Sequence, residues 1–87
     1  MARSVRMHLV LDCTKLDEVR RKRGQSQRDF AAQLGDVSQT TYSAWVRGTR
    51  KPLYPHVLVY AFAEALHVDP RTIGRQVAVG ERVTVAA

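Results

Sequence analysis

The chain has 87 residues, of which 45% are hydrophobic, a length that suits one domain with a modest core and excludes a second. Fourteen Lys and Arg against eight Asp and Glu give a net charge of +6, which favours a polyanionic partner such as nucleic acid or an acidic membrane surface. The apolar run at residues 9–11 is too short for a signal-peptide core or a membrane span, so we expect a cytoplasmic protein.

Apolar and polar side chains alternate at the N-terminal end, which predicts a β-strand over residues 4–11. Thr14 and Asp17, three residues apart, then resemble a capping box and predict a first helix that ends at Gly24. Positive charge over residues 20–23, at the end of this helix, is either a solvated helix terminus favoured by the dipole or a phosphate-binding group.

Two more helix starts follow at short intervals. Ser26 and Asp29 form a second capping box, which predicts a short helix ending at Gly35. Ser38 is the predicted N-cap of a third helix, and Gly48 is its predicted end.

The fourth predicted helix is the most apolar segment of the chain, HVLVYAFAEAL. Pro55 suits its first turn, where a missing N–H has no cost. We expect its buried stripe to consist of Leu58, Ala61, Phe62, Ala65 and Leu66. Asp69 followed by Pro70 predicts a short fifth helix through about Ile73.

Valine alternates with other residues on both sides of Gly80-Glu81, which has the composition of a two-residue turn. This pattern predicts strand-like structure over residues 76–86. The helical core is then expected over about residues 14–74. The predicted fold class is mainly α, a compact bundle of about five helices with short β-strands at both ends. We expect the ends to form a small sheet that contributes to a two-fold dimer. The alternative is a monomer in which the two termini pair with each other.

The third helix separates into two faces when residues 39–47 are placed at about 100° per residue. One face carries Thr41, Tyr42, Trp45 and Val46, and we expect it to pack, with Trp45 buried against the second and fourth helices. The opposite arc consists of Gln39, Thr40, Ser43, Ala44 and Arg47. Short polar side chains of this kind suit the major groove of B-DNA, where Gln can bond adenine in two places.

The chain resembles the Cro/repressor-type helix-turn-helix family, also called the xenobiotic-response-element family. Three segments in the right order carry the resemblance over about residues 16–68: LDEVRRKRGQSQRDFAAQLG, VSQTTYSAWVRGTRKP with its Trp-x-x-Gly-x-x-x-Pro ending, and YAFAEALHV. The resemblance implies that the second and third helices form the helix-turn-helix, with the third lying in the major groove. It implies a single DNA-binding domain over residues 1–87 and a sequence-specific transcriptional regulator, a Cro-like repressor of phage or bacterial origin.

The expected DNA-contacting residues fall into two groups. The base-facing positions are Gln39, Thr40, Ser43 and Ala44, of which Ala44 offers only a methyl group. The expected phosphate contacts are Gln27, Arg28, Ser38, Arg47, Thr49, Arg50 and Lys51. The expected partner is a palindromic operator in double-stranded DNA, bound by a homodimer.

The sequence departs from the family pattern at three places. The turn GDVS has one residue more than the usual link, with Asp36 the extra residue, and the loop KPLYPH is about two residues longer. Val46 occupies a position where the family commonly has a Glu that pairs with an Arg at the position of Arg20. We therefore expect Arg20 to lie in solvent or to find another acceptor.

Other classes of function have less support. The three histidines lack metal-ligand spacing, and no paired carboxylates, nucleophile motif or Gly-rich phosphate loop occurs, so we expect no metal, cofactor, small-molecule substrate or enzymatic activity. No predicted helix pairs a basic face with a broad exposed apolar one, so a membrane-surface role is disfavoured. The alternative that remains is a protein-interaction adaptor or antitoxin that uses the same fold. The polar and basic outer arc of the third helix favours DNA over that alternative.

Overall fold

Five helices and two short strands make up residues 7–78, the part of the chain that the computed structural model describes. Their order is β1 (Met7–Leu11), α1 (Cys13–Lys22), α2 (Gln27–Gln33), α3 (Gln39–Arg47), α4 (Pro55–Leu66), α5 (Pro70–Ile73) and β2 (Gly74–Ala78). The predicted fold class, mainly α with a strand at each end, is confirmed.

The two strands form an antiparallel two-stranded sheet within one chain. Its register joins Met7 to Ala78 and Leu11 to Gly74, and α4 packs against β1. β2 begins two residues earlier than predicted because Gly74 already has an extended backbone and pairs with Leu11. Residues 4–6 and 79–86 of the predicted strands, with the turn at Gly80-Glu81, lie outside the described residues.

Most apolar side chains of the two strands are buried, although Met7 at the start of β1 is 50% exposed. Leu9, Val10, Leu11 and Val77 are all buried, so the strand alternation predicted for the N-terminal end does not extend to Val10. Intrachain pairing therefore accounts for the apolar character of the described part of both ends. A contribution of this sheet to a dimer remains a prediction.

Gly74 lies where β1, α4 and α5 meet, and the packing there leaves no space for a side chain. A Cβ atom would lie 2.7 Å from Cγ of Leu9, 2.8 Å from Cγ2 of Val59 and 3.0 Å from the carbonyl oxygen of Pro70. The Gly74 carbonyl also accepts a hydrogen bond of 2.8 Å from Nζ of Lys15, which joins α1 to the start of β2.

Gly74→Ala should therefore lower the free energy of unfolding by about 1–3 kcal/mol, since an added methyl group must displace two core side chains and a carbonyl. Urea unfolding followed by circular dichroism measures this loss. Arg75→Ala, at the next and exposed position, is the matched control and should change the stability by less than about 0.5 kcal/mol. Equal midpoints for the two variants would contradict the close packing around Gly74.

The start of α1 differs from the prediction. Asp12, not Thr14, is its N-cap, and Oδ1 of Asp12 accepts hydrogen bonds from the backbone N–H groups of Thr14 at 2.9 Å and Lys15 at 3.2 Å. The predicted capping box of Thr14 and Asp17 is wrong because Asp17 lies one turn into the helix and points to the interior, where it is only 4% exposed. The other predicted N-caps are confirmed, since side chains of Ser26, Ser38 and Asp69 each accept a backbone N–H of their helix.

The buried side of α4 is rotated relative to the predicted stripe. Phe62 and Leu66 are buried as predicted and Leu58 is half-buried, but Ala61 and Ala65 are exposed. Their expected places in the core are taken by Val59 and Ala63. Nearly every position of α4 is apolar, so its periodicity alone does not define the inner face, and the contact with β1 decides it. The exposed side of α4 consequently keeps several apolar side chains.

Candidate nucleic-acid interface

α3 begins after Ser38 and ends at Gly48, as predicted. Oγ of Ser38 accepts the backbone N–H of Thr41 at 3.1 Å and donates to Oγ1 of Thr41 at 2.9 Å. At the other end Gly48 has a φ of 76°, in the left-handed region that glycine adopts without steric cost. The next residue, Thr49, donates its backbone N–H to the Ala44 carbonyl at 3.0 Å, which ends the helix and turns the following loop.

Aromatic side chains anchor the inner face of α3. Tyr42 is fully buried and packs edge-on against Phe30 of α2, with ring centroids 5.6 Å apart. Trp45 is 9% exposed, and its ring centroid lies 6.1 Å from that of Phe62 on α4. These contacts confirm that Tyr42 and Trp45 belong to the core, as predicted, and they join the inner face of α3 to α2 and α4.

A buried carboxylate ties α3 to α1. The Tyr42 hydroxyl donates to Oδ1 of Asp17 at 2.9 Å, and Nε of Arg20 donates to the same oxygen at 2.6 Å. Arg21 adds a hydrogen bond of 3.1 Å to Oδ2 of Asp17, and Arg20 also donates to the Gln25 carbonyl at 3.0 Å. Arg20 has thus found an acceptor other than the family's Glu, whose usual position holds Val46.

The charges of this cluster shift the pKa values of its members. Hydrogen bonding from Arg20, more than offsetting burial, lowers the pKa of Asp17 below its ordinary value of 3.8. Burial, reinforced by the hydrogen bond to Asp17, raises the pKa of the Tyr42 hydroxyl. The cluster is therefore an ionised carboxylate held by a neutral phenol and two guanidinium groups at neutral pH.

The outer arc of α3 is accessible along its length. Gln39, Thr40 and Arg47 are exposed, and Ser43 and Ala44 are half-buried. Residues 39–47 contain no Asp or Glu, so no side chain of this helix would repel a polyanion. The residues predicted to face bases therefore lie together on the side of α3 opposite its core contacts.

The residues predicted to contact phosphate lie at the ends of α2 and α3. Arg28, Ser38, Thr49, Arg50 and Lys51 are exposed, and Gln27 is half-buried in the first turn of α2. Oγ1 of Thr49 donates to the Ala44 carbonyl at 3.3 Å, so this hydroxyl has a partner within the chain. Arg20 and Arg23 of the basic run likewise have partners, because Nη2 of Arg23 donates to the Leu66 carbonyl at 2.7 Å.

Within residues 7–78, no group of three or more His, Cys, Asp or Glu side chains could hold a metal ion. No helix among residues 7–78 is long and apolar enough to cross a membrane. Burial, with a smaller effect of the Asp12 charge, raises the pKa of the Cys13 thiol to about 11, so this thiol is protonated at neutral pH.

Comparison with known families identifies the arrangement. A family model described as helix-turn-helix, of the Cro/C1 type, matches residues 16–73, more than half of the chain, and the chain therefore belongs to the helix-turn-helix family. The match runs from α1 to the end of α5 and leaves both strands outside it. Searches of curated proteins and of solved structures found no match. The family is one of DNA-binding transcription regulators, and this chain is a regulator of that kind.

Proposed function

We propose that this protein is a sequence-specific repressor that binds double-stranded DNA with α3 in the major groove, a Cro-like regulator of phage or bacterial origin. The observation that carries the proposal is the acid-free arc of short polar side chains on α3, opposite a face locked by Tyr42 and Trp45. An α-helix fits the major groove of B-DNA, and short side chains let its backbone approach the base edges.

Base contact in this proposal falls to the N-terminal half of α3. Gln39 is exposed in the first turn and can accept and donate to the two polar atoms of an adenine edge. Thr40 and Ser43 offer hydroxyl groups that bond several base edges. Ala44 contributes a methyl group, which suits contact with the methyl group of thymine.

The residues proposed to contact phosphate lie around the base-facing arc. Arg47, Arg50 and Lys51 are exposed cations at the C-terminal end of α3, and Gln27 and Arg28 lie in the first turn of α2. The Ser38 and Thr49 hydroxyls already have partners within the chain. Contact at the start of α3 would therefore come mainly from its first backbone N–H groups, which have no intrahelical acceptors.

The proposed form on DNA is a homodimer. One helix-turn-helix contacts few base pairs, and two copies related by a two-fold axis place their α3 helices about one DNA turn, ~34 Å, apart on a palindromic site. A site selected from a random duplex pool should accordingly be palindromic. Failure of the full chain to retain any duplex at low salt would instead favour the adaptor or antitoxin alternative.

Two substitutions separate base contact from phosphate contact on the selected site. Gln39→Ala should weaken binding to that site by about 1–3 kcal/mol and relax the preference at one base pair. Arg50→Ala should weaken binding to all duplexes alike and reduce the salt slope by about one unit. Fluorescence anisotropy with selected and scrambled duplexes over a range of salt concentrations measures both effects.

Gln76→Ala is the control for this experiment, because Gln76 is exposed on β2 and no DNA contact is assigned to it. Its affinity and its salt slope should equal those of the parent. Equal losses on selected and scrambled DNA for Gln39→Ala would show that Gln39 is not a base-contacting residue.

A further inference from the structure

Four of the five large hydrophobic side chains exposed in residues 7–78 gather at the start of α4. They are Leu53, Tyr54, Val57 and Tyr60, which are 70%, 68%, 55% and 55% exposed. With the exposed Ala61, they form a surface that we call the α4 face. None of these residues has a part in the proposed contacts with DNA, so the α4 face calls for a separate explanation.

The α4 face has the shape of a helix-packing stripe. Val57, Tyr60, Ala61 and Glu64 follow the spacing i, i+3, i+4, i+7 and are all exposed, on the side of α4 opposite Phe62 and the other buried residues. Monomeric proteins keep exposed apolar patches small, and a larger one marks an interaction surface. This stripe has no partner among the described residues and is free to pack against another helix.

A groove connects the α4 face to the loop after α3. Its volume is about 810 Å³, and Trp45, Leu58 and Phe62 lie in its wall together with Leu53 and Ala61 of the α4 face. Arg50 and Lys51 form another part of the same wall. The α4 face is thus continuous with the cations proposed to contact phosphate, and a protein seated on it would lie beside the bound DNA.

We propose that the α4 face binds a second copy of this chain, with the two α4 helices antiparallel about a two-fold axis near Tyr60. The choice of a second copy rests on the proposed function, which requires a pair of α3 helices on a palindromic site. An isologous contact of this kind must be complementary to itself in both charge and shape.

The charges on α4 meet that requirement. Two-fold symmetry about Tyr60 places residues equally far from it, such as His56 and Glu64, opposite each other across the interface. Each Glu64 carboxylate can then accept a hydrogen bond from the imidazole of the partner's His56. Of the helices within residues 7–78, α4 alone contains no Lys or Arg, so the helix itself brings no such cation to the contact between two chains of net charge +6.

The centre of this interface is aromatic. An axis at Tyr60 brings the two exposed Tyr60 rings together, where they can take the offset or edge-to-face arrangement that aromatic pairs prefer. The antiparallel order also brings the N-terminus of each α4 close to the C-terminus of the other, which the helix dipoles favour.

The area predicts a weak dimer. Four side chains that are about half to two-thirds exposed present on the order of 400 Å² per copy, given ~150–250 Å² for a whole aromatic side chain. An interface of roughly 800 Å² in total is below the standard size of about 1,600 Å². The free protein should therefore dissociate in the micromolar range, and two adjacent half-sites would hold the pair together on DNA.

A charge-exchange experiment on the full chain tests this interface without DNA. Sedimentation at about 5–500 µM gives the dimer dissociation constant, and His56→Glu should raise it at least about tenfold by setting two carboxylates against each other. Glu64→Lys should also raise it, because it removes the acceptor for His56. The double variant restores opposite charges and should return to within about threefold of the parent.

Two further variants complete the design. Tyr60→Glu removes the central ring, remains compatible with an exposed helix position, and should leave the protein monomeric but folded by circular dichroism. Gln76→Glu adds the same charge on the exposed side of β2 and should dimerise like the parent.

The outcomes separate this inference from the proposed function. A parent that stays monomeric throughout the concentration range, or a dimer unaffected by His56→Glu and Tyr60→Glu, overturns the α4 interface. A dimer that is unaffected by those two variants but weakened by Gln76→Glu would assign the contact to the terminal sheet. Association of a different protein with the α4 face of a monomeric parent also overturns it. A dimer with the expected pattern that fails to bind any duplex would leave the interface standing and remove the proposed function.

Discussion

Replacing Trp45 by alanine is expected to lower the free energy of unfolding by about 3–5 kcal/mol, the usual cost of deleting a buried aromatic side chain. Trp45 is 9% exposed and packs against Phe62, so its loss would open the groove beneath the loop after α3. A domain of this size has a total stability of roughly 5–10 kcal/mol, and most of it would be lost. Urea unfolding followed by far-ultraviolet circular dichroism gives the value without relying on tryptophan fluorescence.

DNA binding by Trp45→Ala should decrease only as far as the folded fraction decreases. Thr40→Ala is the matched control on the exposed side of the same helix, and it should unfold within about 0.5 kcal/mol of the parent. A Trp45→Ala protein that melts like the parent yet fails to bind DNA would show that this ring contacts the DNA and does not support the fold.

Local signals were sufficient to predict most of the helices. Ser26, Ser38 and Asp69 each cap a helix at the predicted position, and Gly48 ends α3, because these effects depend on residues at most a few positions apart. The pairing of the terminal strands joins residues that are far apart in sequence. Alternation gave their strand character but not their register, which the close packing around Gly74 helps to fix.

Two of the wrong predictions, the capping box of α1 and the buried stripe of α4, have a common cause. Thr14 and Asp17 have the spacing of a capping box, and only the distant Tyr42, 25 positions along the chain, explains why Asp17 is buried instead. In α4 almost any face is apolar enough to be buried, and the packing of α4 against β1 determines which face is buried. Tertiary contacts decide both cases, and a single sequence does not specify them.

The outer arc of α3 could be predicted from the sequence because it depends on local pattern and not on tertiary contacts. Its definition needs only the helical period and the two aromatic residues on the other face, and the structure exposes Gln39, Thr40 and Arg47 accordingly. Asp17 was missed as a residue that orients this helix. The signal present in the sequence was an acidic residue between Leu16 and Val19, inside the apolar stripe of α1.

Loss of the Asp17 carboxylate is expected to be as damaging as the loss of Trp45. Asp17→Ala leaves the buried Tyr42 hydroxyl without its acceptor and leaves Arg20 with only the Gln25 carbonyl. Breaking one side of a buried ion pair costs about 3–5 kcal/mol, and the Arg20 side chain is 17% exposed, so we expect a value near the lower end. Chemical denaturation at neutral pH measures the loss.

Tyr42→Phe is the matched control, because it removes one hydroxyl group and leaves both arginines on Asp17. It should cost about 1.5–3 kcal/mol, the range for a hydrogen bond to a charged group. The double variant, Asp17→Ala with Tyr42→Phe, should cost clearly less than the sum of the two single losses, since the hydroxyl and its acceptor are then removed together. Strict additivity would mean that the hydrogen bond between Tyr42 and Asp17 does not stabilise the fold.

The pH dependence supplies an independent test of the same cluster. Hydrogen bonds from Arg20 lower the pKa of folded Asp17 below its ordinary value of 3.8, so the unfolded chain takes up this proton at a higher pH than the folded protein does. The stabilising effect is therefore fully present above the unfolded pKa and is lost as the pH falls through the folded one. The stability difference between the parent and Asp17→Asn should accordingly be constant from about pH 6 to 8 and should shrink in acid below about pH 4. A difference that stays the same down to the acid unfolding of the parent would show that the charge of Asp17 does not stabilise the contact between α1 and α3.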